Sequence, residues 1–157
     1  MEIHTINPVY DVNSRILILG SFPSVKSREA RFFYGHPQNR FWKLLGELFN
    51  ENAGDCAKEK TAFLKKHNIA LWDVIASCEI EGSSDSSITN VTPNDISIIL
   101  EEADIRAIFT NGKTADKLYK KYIEKKTGRK AICLPSTSPA NAAWTFDKLK
   151  EEWKQIL

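Results

Sequence analysis

The sequence predicts an α/β protein, a three-layer α/β/α sandwich built on a central four-stranded, mainly parallel sheet. Three observations lead there. Four short runs, 15–20, 69–73, 105–110 and 130–134, are largely apolar or β-branched, as strands covered on both faces are. Segments with helical spacing lie between them. Glycine, proline, serine or asparagine follows at the ends of most of the runs, where a strand must turn.

The elements follow in order. Arg15–Gly20 is the first strand, ending in a glycine. Asn39–Phe49 places Phe41, Leu44, Leu45 and Leu48 at three- and four-residue spacing, one apolar helical face. Ala57–His67 is a shorter and more charged helix, followed by the strand Ile69–Asp73. Glu81–Asn90, rich in Ser and Gly, is expected to be a long surface loop. Pro93–Glu102 is expected to be a helix with Thr92 as its N-cap and Pro93 at its first position. The strand Ile105–Thr110 leads into a helix over Asn111–Lys126. Lys130–Leu134 is the last strand, and a helix over Thr145–Leu157, capped by Thr145, closes the chain. Alternating strands and helices imply right-handed crossovers and one domain over residues 1–157. In such a sheet, ligands bind beyond the carboxyl ends of the strands. The turn after Gly20, the segment after Asp73, Asn111-Gly112 and the loop after Leu134 all fall on that rim.

Bulk properties narrow the function classes. A chain of 157 residues with 42% hydrophobic content can bury a sizeable core. No apolar run approaches the ~20 residues of a bilayer span, and Met1-Glu2-Ile3-His4-Thr5 has no signal-peptide character. A cytoplasmic monomer without a membrane partner is expected. Cys56, Cys78 and Cys133 are odd in number and lack the short spacing of a ligand set. They read as buried or idle thiols, and neither metal nor cofactor is expected. A net charge of +2 neither demands nor excludes nucleic acid. The lysines of 58–66 and 117–126 read as solvated helix faces, with weak phosphate contact as the alternative.

The chemistry lies in the rim loops. In Gly20-Ser21-Phe22-Pro23-Ser24, the glycine lets backbone approach a ligand, Pro23 stiffens the turn and Phe22 offers a ring face. Ser21, Ser24 and Ser27 carry hydroxyls that can donate to phosphate oxygens. An ordinary strand-to-helix connection with Phe22 in the core is the plainer alternative. The second stretch is Gly35-His36-Pro37-Gln38-Asn39-Arg40-Phe41-Trp42. Asn39 can cap the following helix, and its amide can equally orient water. Phe41 and Trp42 read as core anchors, Arg40 as a surface or DNA-facing cation, and His36 as a titrating group or base donor. In the third, Leu134-Pro135-Ser136-Thr137-Ser138-Pro139-Ala140-Asn141, the hydroxyls precede an expected helix N-terminus, a ready anion site.

These motifs resemble the uracil-DNA glycosylase superfamily, over Ile16 to Trp144. Residues 36–42 are similar to the His-Pro-x-Asn-Arg-Phe-Trp segment of its mismatch-specific branch, and Ser136 with the following loop resembles the Pro-Ser-x-x-Ser loop. The first motif departs. Where members carry a water-activating Asp or Asn before the proline, this chain has Phe22, which cannot orient water. Ser-Phe-Pro combined with the second motif resembles the hypoxanthine-DNA glycosylase branch, as do Leu71-Trp72-Asp73 and Asp85-Ser86-Ser87-Ile88. The resemblance implies DNA with a damaged or mismatched base as partner and hydrolysis of an N-glycosidic bond. It makes Asn39 the catalytic residue. Ser21, Phe22, His36, Asp73 and Asn111 would form the base pocket, with Phe22 stacking on the base. Ser24, Ser27, Arg40, Ser136, Ser138 and Asn141 would hold the DNA backbone. The superfamily's four-cysteine cluster, found in some branches, cannot be built from three cysteines.

Other readings stand beside this one. Uracil or ethenocytosine opposite guanine is an alternative substrate, and a non-catalytic nucleic-acid or nucleotide module is an alternative class. A small hydrolase with Ser21 as nucleophile and His36 as base lacks the Gly-x-Ser-x-Gly elbow and an orienting Asp. Lyase chemistry needs an amine in the pocket, and Lys26 and Lys113 are the nearest candidates.

Overall fold

In the computed structural model, which describes residues 1–157, a short strand β1 (Glu2–Ile3) precedes β2 (Ile16–Gly20) and the helices α1 (Val25–Ala30), α2 (Phe41–Leu48) and α3 (Ala57–Lys66). Two strands then run in succession, β3 (Ile69–Asp73) and β4 (Ile75–Glu79). A 3₁₀ turn at Asp85–Ser87 leads to β5 (Thr89–Pro93) and α4 (Ser97–Glu102). β6 (Ala107–Asn111), α5 (Lys113–Tyr122), α6 (Glu124–Thr127), β7 (Ala131–Leu134) and α7 (Phe146–Trp153) complete the chain.

The main sheet has the order β3-β2-β6-β7, and every neighbouring pair is parallel. Leu17, Ile18 and Leu19 of β2 are each 0% exposed. Successive strand residues face opposite sides of a sheet, so helices and loops must cover both. The sheet is the middle of three layers. Each of those side chains contributes about 1.5–3 kcal/mol by leaving water. α3 packs on β3, α5 on β6 and β7, and α2 against α7. The outer edge of β3 is closed by Val9, which exchanges two backbone hydrogen bonds with Leu71 at 2.9 Å.

The four predicted strands all form, within one or two residues of their expected ends. A second, antiparallel sheet, β1-β4-β5, was not predicted. Its strands are short and mostly open to solvent, so they lack an apolar run: Thr89–Pro93 has no buried residue and Glu2–Ile3 is exposed. The expected helix start at Thr92-Pro93 is therefore wrong. Pro93 ends β5 opposite Ile75, a place where the missing N–H costs no interior ladder bond. The helix begins at Ser97, whose N–H and hydroxyl both donate to Asp95 Oδ1, at 3.1 and 2.6 Å. The predicted helix over 111–126 breaks at Ile123, which is buried. There the Thr127 hydroxyl bonds the carbonyls of Ile123 and Glu124, at 3.3 Å each, a known competitor of regular helix. Thr145 caps α7 as expected, accepting from Lys148 N–H at 3.2 Å. Cys78 is buried, and Cys56 and Cys133 are exposed.

Candidate active site

At the carboxyl ends of the parallel strands lies a cavity of about 330 Å³. It is lined by Gly20–Ser24 and Ser27, by Phe33, Tyr34, His36 and Asn39 from the α1–α2 region, and by Asp73, Ser83, Asp85, Asn111 and Ser136–Ala140. Every predicted site residue except Arg40 and Asn141 is at its wall. Asn141 lines an adjoining depression of about 530 Å³, which also takes in Lys113, Thr114 and Trp144.

The floor is set by register. Gly20 pairs with Asp73 across the β2–β3 ladder. A Cβ on Gly20 would stand 2.4 Å from Asp73 Oδ1 and 2.9 Å from the Tyr34 hydroxyl, so only glycine fits there. Asp73 is 3% exposed. Its Oδ2 lies 2.8 Å from His4 Nε2. His4 Nδ1 accepts from the Ile6 N–H at 3.3 Å, which places the imidazole proton on Nε2, facing Asp73. Asn94 fastens the same spot from behind, donating to the Asp73 and Ile75 carbonyls at 2.9 and 3.1 Å. Tyr34 is stacked on Phe41, with centroids 4.1 Å apart. Its backbone has a positive φ of 52°, which is strained for an aromatic residue. Its buried hydroxyl has no hydrogen-bond partner. Burial, and next the Asp73 carboxylate, push this phenol above its usual range.

One wall is a hydrogen-bonded relay joining three loops. Asn111 Nδ2 donates to Thr137 Oγ1 at 3.0 Å, and Thr137 N–H donates back to Asn111 Oδ1 at 3.0 Å. Thr137 Oγ1 then donates to Asn39 Oδ1 at 2.9 Å. Asn39 Oδ1 also accepts from Phe41 N–H at 3.0 Å, an Asx turn leading into α2, whose N-cap is Arg40 rather than the Asn39 expected. Two donors on one oxygen fix the amide's orientation, so Asn39 presents its NH₂ group.

His36 Nδ1 accepts from Gln38 N–H at 3.1 Å, leaving Nε2 as the donor of the neutral ring. Phe22 is 8% exposed, its ring edge-on to His4 at 6.0 Å and 5.5 Å from the Arg28 guanidinium. Ser24 caps α1, accepting from Ser27 N–H at 3.1 Å. Ser27 is buried, and its hydroxyl accepts from Ser24 Oγ at 3.1 Å and from Gly35 N–H at 2.8 Å. Those bonds tie it to the turn rather than to an external phosphate. Ser136 and Ser138 accept from Ser138 N–H and Ala140 N–H, and both hydroxyl protons stay free.

Arg40 and Asn141 are placed otherwise than expected. The Arg40 guanidinium is turned inward onto backbone carbonyls of the loop beyond β7: Ser138 at 3.1 Å, Asn141 at 3.2 Å, Thr137 at 3.4 Å, and Trp144. Asn141 Nδ2 donates to the Ser136 carbonyl at 3.0 Å. No helix begins after Asn141, because α7 starts only at Phe146. The expected helix-terminal anion site is therefore absent.

Sequence reasoning missed His4, Tyr34, Ser83, Thr137 and Asp85 as site residues. His4 and Tyr34 lie in segments with no strand or helix periodicity. The segment 81–90, expected as a plain surface loop, is folded onto α1. Val25 N–H donates to Ser83 Oγ at 2.9 Å, Arg28 donates to the Gly82 carbonyl, and Ser87 Oγ donates to the Ser84 carbonyl at 2.7 Å. Asp85 Oδ1 accepts from Ser21 Oγ at 3.2 Å. Although Asp85 is an exposed residue, partial desolvation of its carboxyl by the surrounding loops raises it above the ordinary range; hydrogen bonds from Ser21 and Thr114 oppose the shift, and Asp73 adds to it.

A parallel sheet with a cavity at its carboxyl edge, walled by amide, phenol, carboxylate and serine groups, offers a polar ligand both hydrogen-bond donors and acceptors. The family model of the Uracil DNA glycosylase superfamily matches residues 8–157, and the chain belongs to that superfamily. It is 39% identical over 150 residues to a hypoxanthine DNA glycosylase of Methanosarcina acetivorans, covering 94% of this chain and 93% of that one. It is 38% identical over 108 residues to a hypoxanthine DNA glycosylase of Methanosarcina barkeri, covering 68% of each. A solution NMR structure of a provisionally assigned uracil DNA glycosylase from Methanosarcina acetivorans superposes with a TM-score of 0.79 at 35% identity, over 96% of both chains.

Proposed function

We propose that this protein is a monofunctional DNA glycosylase that hydrolyses the N-glycosidic bond of a flipped deaminated base, hypoxanthine first among them. The observation that carries the reading is the cavity floor. There the unpartnered Tyr34 hydroxyl lies beside the Asp73 carboxylate, at the carboxyl ends of β2 and β3. A buried donor next to a buried acceptor matches the lactam edge of hypoxanthine, whose O6 accepts and whose N1–H donates. Adenine reverses both groups, with an amino donor at C6 and a bare acceptor at N1, and that N1 facing Asp73 would leave both acceptors unsatisfied, at a cost of about 1–3 kcal/mol. The relatives named as hypoxanthine DNA glycosylases support the same base.

Flipping inosine out of the duplex costs a few kcal/mol, less than for a Watson–Crick pair. The free hydroxyls of Ser136 and Ser138 would hold the flanking phosphates and offset that cost. As the bond breaks the sugar gains oxocarbenium character, as in other glycoside cleavages. The Asn39 NH₂ binds the attacking water through its oxygen, and the relay through Thr137 and Asn111 keeps it aimed. No lysine lines the cavity, which fits hydrolysis rather than imine chemistry.

Uracil carries a similar lactam edge and is the competing substrate, supported by the name of the NMR relative. Single-turnover release from matched duplexes containing one inosine or one uracil, with alkali to cut the abasic site, decides between them. Faster cutting at inosine is expected. Asn39→Ala is expected to slow release by ~10²-fold or more; near-full rate in that variant would remove Asn39 from the mechanism.

A further inference from the structure

Fixing the Asn39 amide leaves the reaction without a proton acceptor. The Asn39 oxygen is filled by Phe41 N–H and by the Thr137 hydroxyl, whose own lone pair is taken by Asn111. An NH₂ group holds water but cannot take its proton. Phe22, in the turn, offers none either. Two carboxylates line the cavity, Asp73 and Asp85. Asp73 lies at the floor, bonded to His4 and packed against Gly20, where the base edge must sit. Asp85 reaches the cavity from a 3₁₀ turn held against Ser21. It lines both the cavity and the adjoining depression and is itself exposed, so it borders the mouth. A flipped nucleotide keeps its sugar at the mouth, because the sugar stays attached to the strand.

We propose that Asp85 accepts the proton of the attacking water, performing from the 81–90 loop what the first-motif turn cannot perform with Phe22. The proposal rests on the glycosylase reading above. In the step, a water lone pair forms the O–C1′ bond while the C1′–N9 bond breaks and leaves its electron pair on the purine. The water proton passes to the Asp85 carboxylate, the hydroxyl stays on the sugar, and the purine anion is protonated from solvent. A carboxyl raised toward the working pH is a better base for this than an ordinary one. The loop bonds to Val25 and Arg28 keep it in place without substrate. The other titratable groups lining the same two spaces are Asp73 from β3, Tyr34 and His36 from the α1–α2 connection, Lys113 from α5, Cys133 from β7 and Glu152 from α7.

The test is single-turnover hypoxanthine release by wild type, Asp85→Asn and Asp85→Ala from about pH 5 to about pH 8, with affinity measured on a non-cleavable 2′-fluoro-inosine duplex. Asp85→Asn is expected to lose ~10²-fold in rate with unchanged affinity and thermal melting no lower than wild type. Wild type should lose rate toward acid, and that limb should be absent from the variant. Added formate should restore part of the rate to Asp85→Ala. An active wild type with Asp85→Asn within about threefold overturns the assignment alone, as does an equal loss of rate and affinity, which would mark a positional role. A wild type that releases no hypoxanthine overturns the underlying function and the assignment with it.

Discussion

Replacing Arg40 separates two roles that the sequence alone leaves equivalent. The guanidinium donates to the Thr137, Ser138, Asn141 and Trp144 carbonyls, and the Arg40 backbone N–H adds a bond to the Thr137 carbonyl at 3.1 Å. The contact to Thr137 through Nε is long at 3.4 Å, so three side-chain bonds carry most of the effect. Arg40→Met keeps the packed stem and removes only the donors. At about 1–1.5 kcal/mol for each carbonyl left to partial solvent, the variant should lose about 3–4.5 kcal/mol in urea denaturation. At about 2–4 °C per kcal/mol for a chain of this size, its melting point should fall by about 6–18 °C. Arg40→Lys should recover less than half, because an ammonium cannot span the fork. Where the variant is still folded, base release should drop more than about tenfold, since the loop that holds Thr137 against Asn39 is no longer clamped. A DNA-facing arginine predicts the reverse: unchanged stability, weaker DNA affinity and a salt slope smaller by about one. A stability loss below about 1 kcal/mol together with that change of slope would refute the clamp.

Three further perturbations probe the same architecture. Thr137→Val keeps shape but removes the hydroxyl between Asn111 and Asn39. It should cost about 1–3 kcal/mol in urea denaturation, the value of an orphaned buried donor, and slow base release about tenfold. Gly20→Ala puts a methyl 2.4 Å from Asp73 Oδ1, and His4 prevents that carboxylate from moving freely. A loss of about 1–3 kcal/mol is expected by thermal melting, with inosine affinity falling in parallel on a non-cleavable duplex. Asp85→Asn tests pH linkage. The folded-state carboxyl of Asp85 is raised, so its favourable contribution is fully present below the ordinary carboxylate range and is lost as pH rises through the raised value. The variant has no such loss, so its melting point should match wild type in acid and exceed it at neutral pH.

The parallel sheet was legible because burial on both faces writes continuous apolar runs, as in Ile16–Leu19 and Ile69–Trp72. The small antiparallel sheet was not, because two-residue and solvent-facing strands need no apolar pattern, and its proline mimicked a helix start. Which residues reach the site was legible at the strand ends and in the amide loop. Orientation was not. Nothing in a sequence says that Arg40 faces inward, that Ser27 is sealed beneath Gly35, or that the Asn39 oxygen is already occupied, since each depends on a partner eight or more positions away. His4 lies 69 positions from Asp73. It also lies before residues 8–157, the span of the family match.

Seen from its contacts, Asn39-Arg40-Phe41-Trp42 is one device, and its compactness has a physical reason. Asn39 holds a donor at the cavity. Arg40, next in line, clamps the loop from which Thr137 steadies that donor. Phe41 is stacked against Tyr34 and fixes the floor hydroxyl, while Trp42 Nε1 donates to the Phe33 carbonyl at 3.0 Å and fixes the backbone just before it. Asn39 lies just before α2, Arg40 is its N-cap, and Phe41 and Trp42 open its first turn, so the change of backbone course lets four neighbours reach the cavity, the far loop, the floor and the core at once. A strand would send them to two faces only. Placing the motif at a helix start lets one short segment set the positions of three loops, and leaves the fourth, which carries Asp85, to be set by Ser21 and α1.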